Sequence, residues 1–288
     1  RTDSAHPLDR YLLAKTREVI HEVTARLDDF DTPLASAALR DFAEVLTNWY
    51  VRRSRDRFWA GDDRDAFDTL YTVLETVTRL AAPLLPLVSE EIWRGLTGER
   101  SVHLADWPNA SEFPVDTELV RTMDRVREVA SSGLALRKAQ KLRVRLPLAR
   151  LTVVAPDAAA LEGFADIIRD ELNVKAVELV PLVESSLADF GITRRLTVNA
   201  RALGPRIGKD VQRVIQASKA GDWSADGDAV VAGGVALEPG EYELELTVAD
   251  TTSAIAFLPS GGFVVLDTAV TPELAAEGLA RDVVRVVQ

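Results

Sequence analysis

Apolar residues recur every three to four positions from Leu8 to Leu134, and near Lys141 that spacing gives way to alternation. A 3.6-residue period buries one stripe of a helix, and a period of two buries one face of a strand. A chain that holds both, in that order, is expected to form an α-helical bundle followed by a smaller mixed α/β domain. At 288 residues there is enough chain for a core in each part. The expected divisions are a bundle over 1–112, a connecting helix and basic strand over 113–150, and a mixed α/β domain over 151–288.

Leu8, Tyr11, Leu12, Val19, Val23 and Leu27 keep the helical period until Phe30-Asp31-Thr32-Pro33 interrupts it. Thr32 and Pro33 read as the N-cap and first-turn proline of a second helix. That helix is expected to run to Trp59, where Ala60-Gly61-Asp62-Asp63 breaks it. Phe67, Leu70, Tyr71, Leu74, Val77 and Ala81 mark a third helix, and Ser89 reads as the cap of a fourth over Glu90–Leu96. Leu119, Met123, Val126, Ala130 and Leu134 form the inner face of a fifth, spanning 116–141. Lys141 to Leu148 then reads as a strand. Leu151–Ala155, a helix from Ala158 to Leu172, and Val174–Val180 make a strand–helix–strand unit. Arg195–Ala200, a helix near Pro205–Ser218 and the strand Glu241–Val248 suggest a similar unit with an inserted hairpin, turning at Gly233-Gly234 and Pro239-Gly240. Phe263–Asp267 and Thr271–Gln288 read as a final strand and helix. The chain stops inside that helical pattern without a closing signal, as expected of a piece of a longer protein.

Several chemistries lose their footing at this level. With no cysteine there is no disulfide or thiolate metal site, and His6, His21 and His103 lack metal-ligand spacing. No apolar run approaches the length of a membrane span, and a cytoplasmic location is expected. Gly204-Pro205-Arg206-Ile207-Gly208-Lys209-Asp210 is one residue short of a phosphate-cradling loop and has Asp210 where a hydroxyl should hold magnesium, so it reads as a helix start. Catalytic, cofactor and metal sites are all expected to be absent.

The formal net charge is −11. Residues 1–150 hold 23 Lys+Arg against 24 Asp+Glu, while 151–288 hold 11 against 21. Within the balanced first half, Arg137 to Arg150 contains six basic residues and no acid. Phe42, Val45, Leu46 and Trp49 fall on one helical stripe; Arg52, Arg55, Asp56 and Trp59 cluster on a neighbouring face. One reading of that face is cations placed to suit a helix C-terminus, with Arg53 and Asp56 paired. The other is a phosphate-binding surface with an aromatic plane for base stacking. Lys141, Arg143 and Arg145 on one side of a strand call for solvent or an anion.

Taken together, Leu8-Asp9-Arg10-Tyr11-Leu12-Leu13, the stretch Asn48-Trp49-Tyr50-Val51-Arg52-Arg53-Ser54-Arg55-Asp56-Arg57-Phe58-Trp59, Pro86 through Trp93, Ser101 through Pro108 and Lys141–Leu148 resemble the isoleucyl-tRNA synthetases. Leu172-Asn173-Val174-Lys175 and Leu203 through Lys209 resemble that family's downstream modules. Valyl and leucyl enzymes share the bundle; the double-arginine version reads as isoleucyl. The family's adenylate-forming signatures, His-Ile-Gly-His and Lys-Met-Ser-Lys-Ser, are missing, as is an editing-domain sequence.

The resemblance implies the anticodon-binding bundle and following modules of an ATP- and magnesium-dependent ligase whose catalytic and editing domains lie elsewhere. Isoleucine tRNA is then the expected partner, contacted by Arg52, Arg55, Arg57, Trp59, Lys138, Lys141, Arg143 and Arg145. A monomer without a C-terminal zinc module is expected, although such a module could follow this stretch. The rival expectation is an RNA-free scaffold whose arginines are engaged by internal acids.

Overall fold

The computed structural model describes residues 3–226, 229–248 and 254–287, which form two compact units, Arg1–Asp124 and Arg125–Gln288. A helical unit followed by a mixed one matches the expected class. The boundary falls inside the long helix, so the expected connector 113–150 is shared between the units. By residue count the second unit is the larger.

In the first unit, α1 (Pro7–Asp28) leads to α2 (Thr32–Glu44), a π-helical turn (Val45–Val51), α3 (Arg55–Ala60), α4 (Arg64–Ala81) and α5 (Pro86–Thr97). The stripe of Phe42, Val45, Leu46 and Trp49 is buried, as the period requires. The helix expected to run unbroken to Trp59 instead widens into the π turn and breaks at buried Ser54. Asp31, not Thr32, caps α2 by accepting from the Leu34 N–H. Ser89 is not a cap either; it lies inside α5 and donates to the Leu85 carbonyl. Short 3-10 turns at Val102–Leu104 and Ala110–Glu112 precede α6 (Thr117–Ala139).

In the second unit, β1 (Leu148–Ala155), α7 (Ala165–Leu172) and β2 (Val174–Pro181) form the expected strand–helix–strand unit, with β1 and β2 parallel. After α8 (Glu184–Asp189) come β3 (Ile192–Val198), α9 (Ala200–Ile207) and α10 (Val211–Ala220). The helix start read at Gly204-Pro205 lies upstream, where Asn199 caps α9. Next are β4 (Trp223–Asp226), β5 (Ala229–Ala232), β6 (Val235–Leu237) and β7 (Tyr242–Val248). β3 and β7 pair antiparallel, so the second expected unit does not repeat the first. Gly233 and Gly234, at φ 56° and 77°, turn the β5–β6 hairpin; two successive positive φ values favour glycine and match strand twist.

The chain closes with β8 (Ile255–Phe257), β9 (Phe263–Leu266) and α11 (Pro272–Val287). β9 lies antiparallel to β1, completing a sheet of order β2-β1-β9-β8. Thr271 accepts from the Leu274 N–H at the start of α11, while Gln288, its expected last residue, lies outside the described residues.

Candidate nucleic-acid interface

Each unit carries one group of the expected contact residues. In the first, the break at Ser54 starts α3 on a new phase and separates its cations. Arg52, before the break, and Arg55, Asp56 and Trp59, after it, are all exposed. The Arg55 guanidinium lies 6.0 Å from the centroid of the Trp59 ring, which is 80% exposed. Such contacts contribute only about 0.5–1 kcal/mol at exposed sites, so the pair remains available to a third plane. Arg52 donates Nε to the Asn48 carbonyl at 2.9 Å, and Arg53 sits 5.4 Å from the Trp49 ring centroid.

Arg57 corrects the expectation. It points inward and grips Asp9 with two bonds, Nη1–Oδ1 at 2.7 Å and Nη2–Oδ2 at 2.8 Å, while Nε donates to Asp63 at 2.7 Å. Asp9 is fully buried and also accepts from Ser4 (2.7 Å) and Tyr50 (2.9 Å). Burial pushes the Asp9 carboxyl up, but the bonds from Arg57, Ser4 and Tyr50 outweigh it and hold the group below the usual carboxylate range. Burial and the neighbouring Asp9 charge push the Tyr50 phenol up. His6 is shifted down by burial and by Arg57. With both ends of its fork occupied by acids, Arg57 has nothing left to offer a phosphate.

In the second unit, Lys138 and Lys141 are exposed and form no ion pair among the described residues. Arg143 and Arg145 are exposed too, yet both face an acid: Asp282 of α11 lies 2.7 Å from Arg143 and 3.8 Å from Arg145. The expectation of three cations on a strand with no acid nearby therefore fails twice. Residues 141–147 are turn and loop, not strand, and Lys141 takes a positive φ of 55°. Leu142, Val144 and Leu146 alternate with cations as in a strand, but no neighbouring strand pairs with them among the described residues, and Val144 is exposed.

In the sequence Arg137 is only one cation of the basic run. It is fully buried, donating to the carbonyls of Arg143 (3.0 Å), Leu146 (2.9 Å) and Asn173 (3.0 Å). Burial pushes its guanidinium down to about 10. Asp9 was legible in principle, since α1 is apolar on several sides and an acid there needs a partner. Asp282 was not, being far away in sequence. Among the described residues no group of three or more His, Asp or Glu side chains could hold a metal ion, and no helix is long and apolar enough to cross a membrane.

The family model for the anticodon-binding domain of tRNA ligase matches residues 9–153, and the chain belongs to that family. Similar proteins include isoleucine–tRNA ligases. The chain is 63% identical over 292 residues to that of Leifsonia xyli subsp. xyli (strain CTCB07), covering 100% of this chain and 25% of the relative. It is 58% identical over 291 residues to that of Nocardia farcinica (strain IFM 10152), covering 100% and 27%. To that of Mycobacterium tuberculosis (strain ATCC 25618 / H37Rv) it is 53% identical over 289 residues, covering 100% and 27%. The chain thus spans about a quarter of the length of these relatives.

Proposed function

We propose that this chain recognises the anticodon region of isoleucine tRNA within a longer ATP-dependent isoleucine–tRNA ligase. The observation that carries the reading is the exposed Arg55–Trp59 pair, displayed on a chain of the anticodon-binding family. Anticodon bases are single-stranded, so they can leave their stack and lie on an aromatic or guanidinium plane. Trp59 offers such a plane; Arg52 and Arg55 supply charge beside it. Lys138, Lys141, Arg143 and Arg145 contact backbone phosphates, which fix orientation and affinity while base contacts fix identity. Isoleucine rather than valine or leucine is the choice that the names of these relatives support.

In this reading, aminoacylation, ATP and magnesium belong to catalytic and editing parts of the longer protein, and this stretch needs no cofactor. It acts by presenting the tRNA in one orientation. The assembly is a cytoplasmic monomer.

Pairing of Arg57 with Asp9 and Asp63, and of Arg143 and Arg145 with Asp282, is what an RNA-free scaffold would show at those positions. Fluorescence anisotropy with an isoleucine anticodon stem–loop separates the two readings. Binding should weaken by about fivefold or more in Trp59→Ala, since a stacked base contributes roughly 1–3 kcal/mol. A changed anticodon should also compete poorly. Equal binding of any stem–loop by both proteins contradicts anticodon recognition, and no binding at low salt supports the scaffold.

A further inference from the structure

Arg137 ends α6 wholly buried, and no carboxylate pairs with it among the described residues. Burying a charge without a counter-charge is costly, and a methionine would fill similar space at lower cost. What only a guanidinium supplies is a rigid fork of donors. Here that fork reaches the carbonyls of Arg143 and Leu146 in the basic loop, and that of Asn173 between α7 and β2.

Asn173 extends the same fastening. It adopts a left-handed conformation at φ 49°, donates Nδ2 to the Val144 carbonyl at 2.9 Å, and accepts from Arg281 at 2.6 Å. The carbonyls of Arg143, Val144 and Leu146 are therefore all held from within. On the other side, α11 approaches so closely that a Cβ at Gly278 would lie 2.9 Å from Leu146 Cδ1. The end of α6 and the loop after it, residues 138–146, bear four exposed cations and are fastened by their backbone, leaving those side chains outward.

We propose that Arg137 is a positioning residue for RNA: it touches no RNA itself, but with Asn173 it fixes residues 138–146, the end of α6 and the loop after it, so that their cations meet successive phosphates. The inference rests on the reading that this loop contacts tRNA. Preordering the loop removes an entropic cost that each phosphate contact would otherwise meet. Lysine keeps a charge at the position but loses the planar fork, so Arg137→Lys tests geometry apart from charge.

Two readouts go together: stem–loop and full isoleucine tRNA binding over a salt series, and trypsin cleavage after Lys141, Arg143 and Arg145, located by mass spectrometry. Folded R137K should be cut faster at those bonds, bind tRNA about tenfold more weakly, and show a salt slope shallower by about 1–2, as contacts drop out. A lower melting temperature with unmodified cleavage and slope would make Arg137 merely structural and overturn the inference. Should R137K fail to fold, Asn173→Gly, which keeps the left-handed backbone and loses the bond to Val144, is judged by the same two criteria. Absence of binding by the unmutated chain at low salt overturns the RNA reading and this role with it. Binding by the unmutated chain, unaffected in R137K, overturns the inference alone.

Discussion

Arg57 in the first unit and Arg137 in the second are both withdrawn from solvent, and their partners could hardly differ more. Arg57 is matched by two carboxylates, one fully buried, and its affinity for the proton is raised above normal. Arg137 is matched by three carbonyls and, among the described residues, no acid, and burial lowers its proton affinity. The first is a bolt between α1, α3 and the start of α4; the second is a fastening for a loop. The difference teaches that an arginine's role follows from the charge left behind when it is removed. Taking away Arg57 strands an anion, while taking away Arg137 strands only neutral oxygens.

The largest effect should therefore come from Arg57→Met. Leaving Asp9 buried and unpaired is expected to lower unfolding stability by about 3–5 kcal/mol, read from urea denaturation. A loss below about 1 kcal/mol, the range of an exposed pair, would break the comparison. Arg137→Met should cost less, about 1–3 kcal/mol, because it also relieves a buried charge. Equal losses in the two variants would show that the counter-charge does not decide the outcome.

The pH dependence sharpens the contrast. Asp9 titrates below its unfolded value of about 3.9, so its contribution is complete above that value and is lost as pH falls through the lower folded one. His6, also shifted down, contributes stability above its unfolded value of about 6.5 that is lost as pH falls through its folded one. Denaturation midpoints should thus fall between neutral and mildly acidic pH, then again in strong acid. Arg57→Met should flatten the strongly acidic limb, and Arg137→Met should leave both limbs in place. The smallest effect concerns Asp282. Its contact with Arg143 is a surface pair worth under about 1 kcal/mol, and Arg137 already holds the loop. Asp282→Asn should tighten tRNA binding about two- to fivefold at low salt, whereas weaker binding would make Asp282 part of the fastening.

Periodicity located the elements well where burial set the pattern. Phe42, Val45, Leu46 and Trp49 are inside because a helix offers one angular answer; Arg52, Arg55, Asp56 and Trp59 are outside although the helix breaks between Arg52 and Arg55. Arg57 lies only two residues beyond Arg55, and the break at Ser54 with its partner at Asp9 decided its fate. Such pairing depends on tertiary neighbours that a charge count does not contain. The same holds for Arg143 and Arg145, whose acid lies on α11, and for the segment 141–147, where alternation without a paired neighbour made a loop. Gly233-Gly234 was legible because a two-residue turn needs positive φ at both positions.

The account stands on exposed cations meeting an RNA backbone, and the salt dependence of isoleucine tRNA binding tests that most directly. Four to six phosphate contacts predict a log–log slope of about −3 to −5, reduced in Lys141→Ala and Arg55→Ala but unchanged in Asp56→Asn. No binding at about 50 mM salt, or a slope near zero, would contradict it.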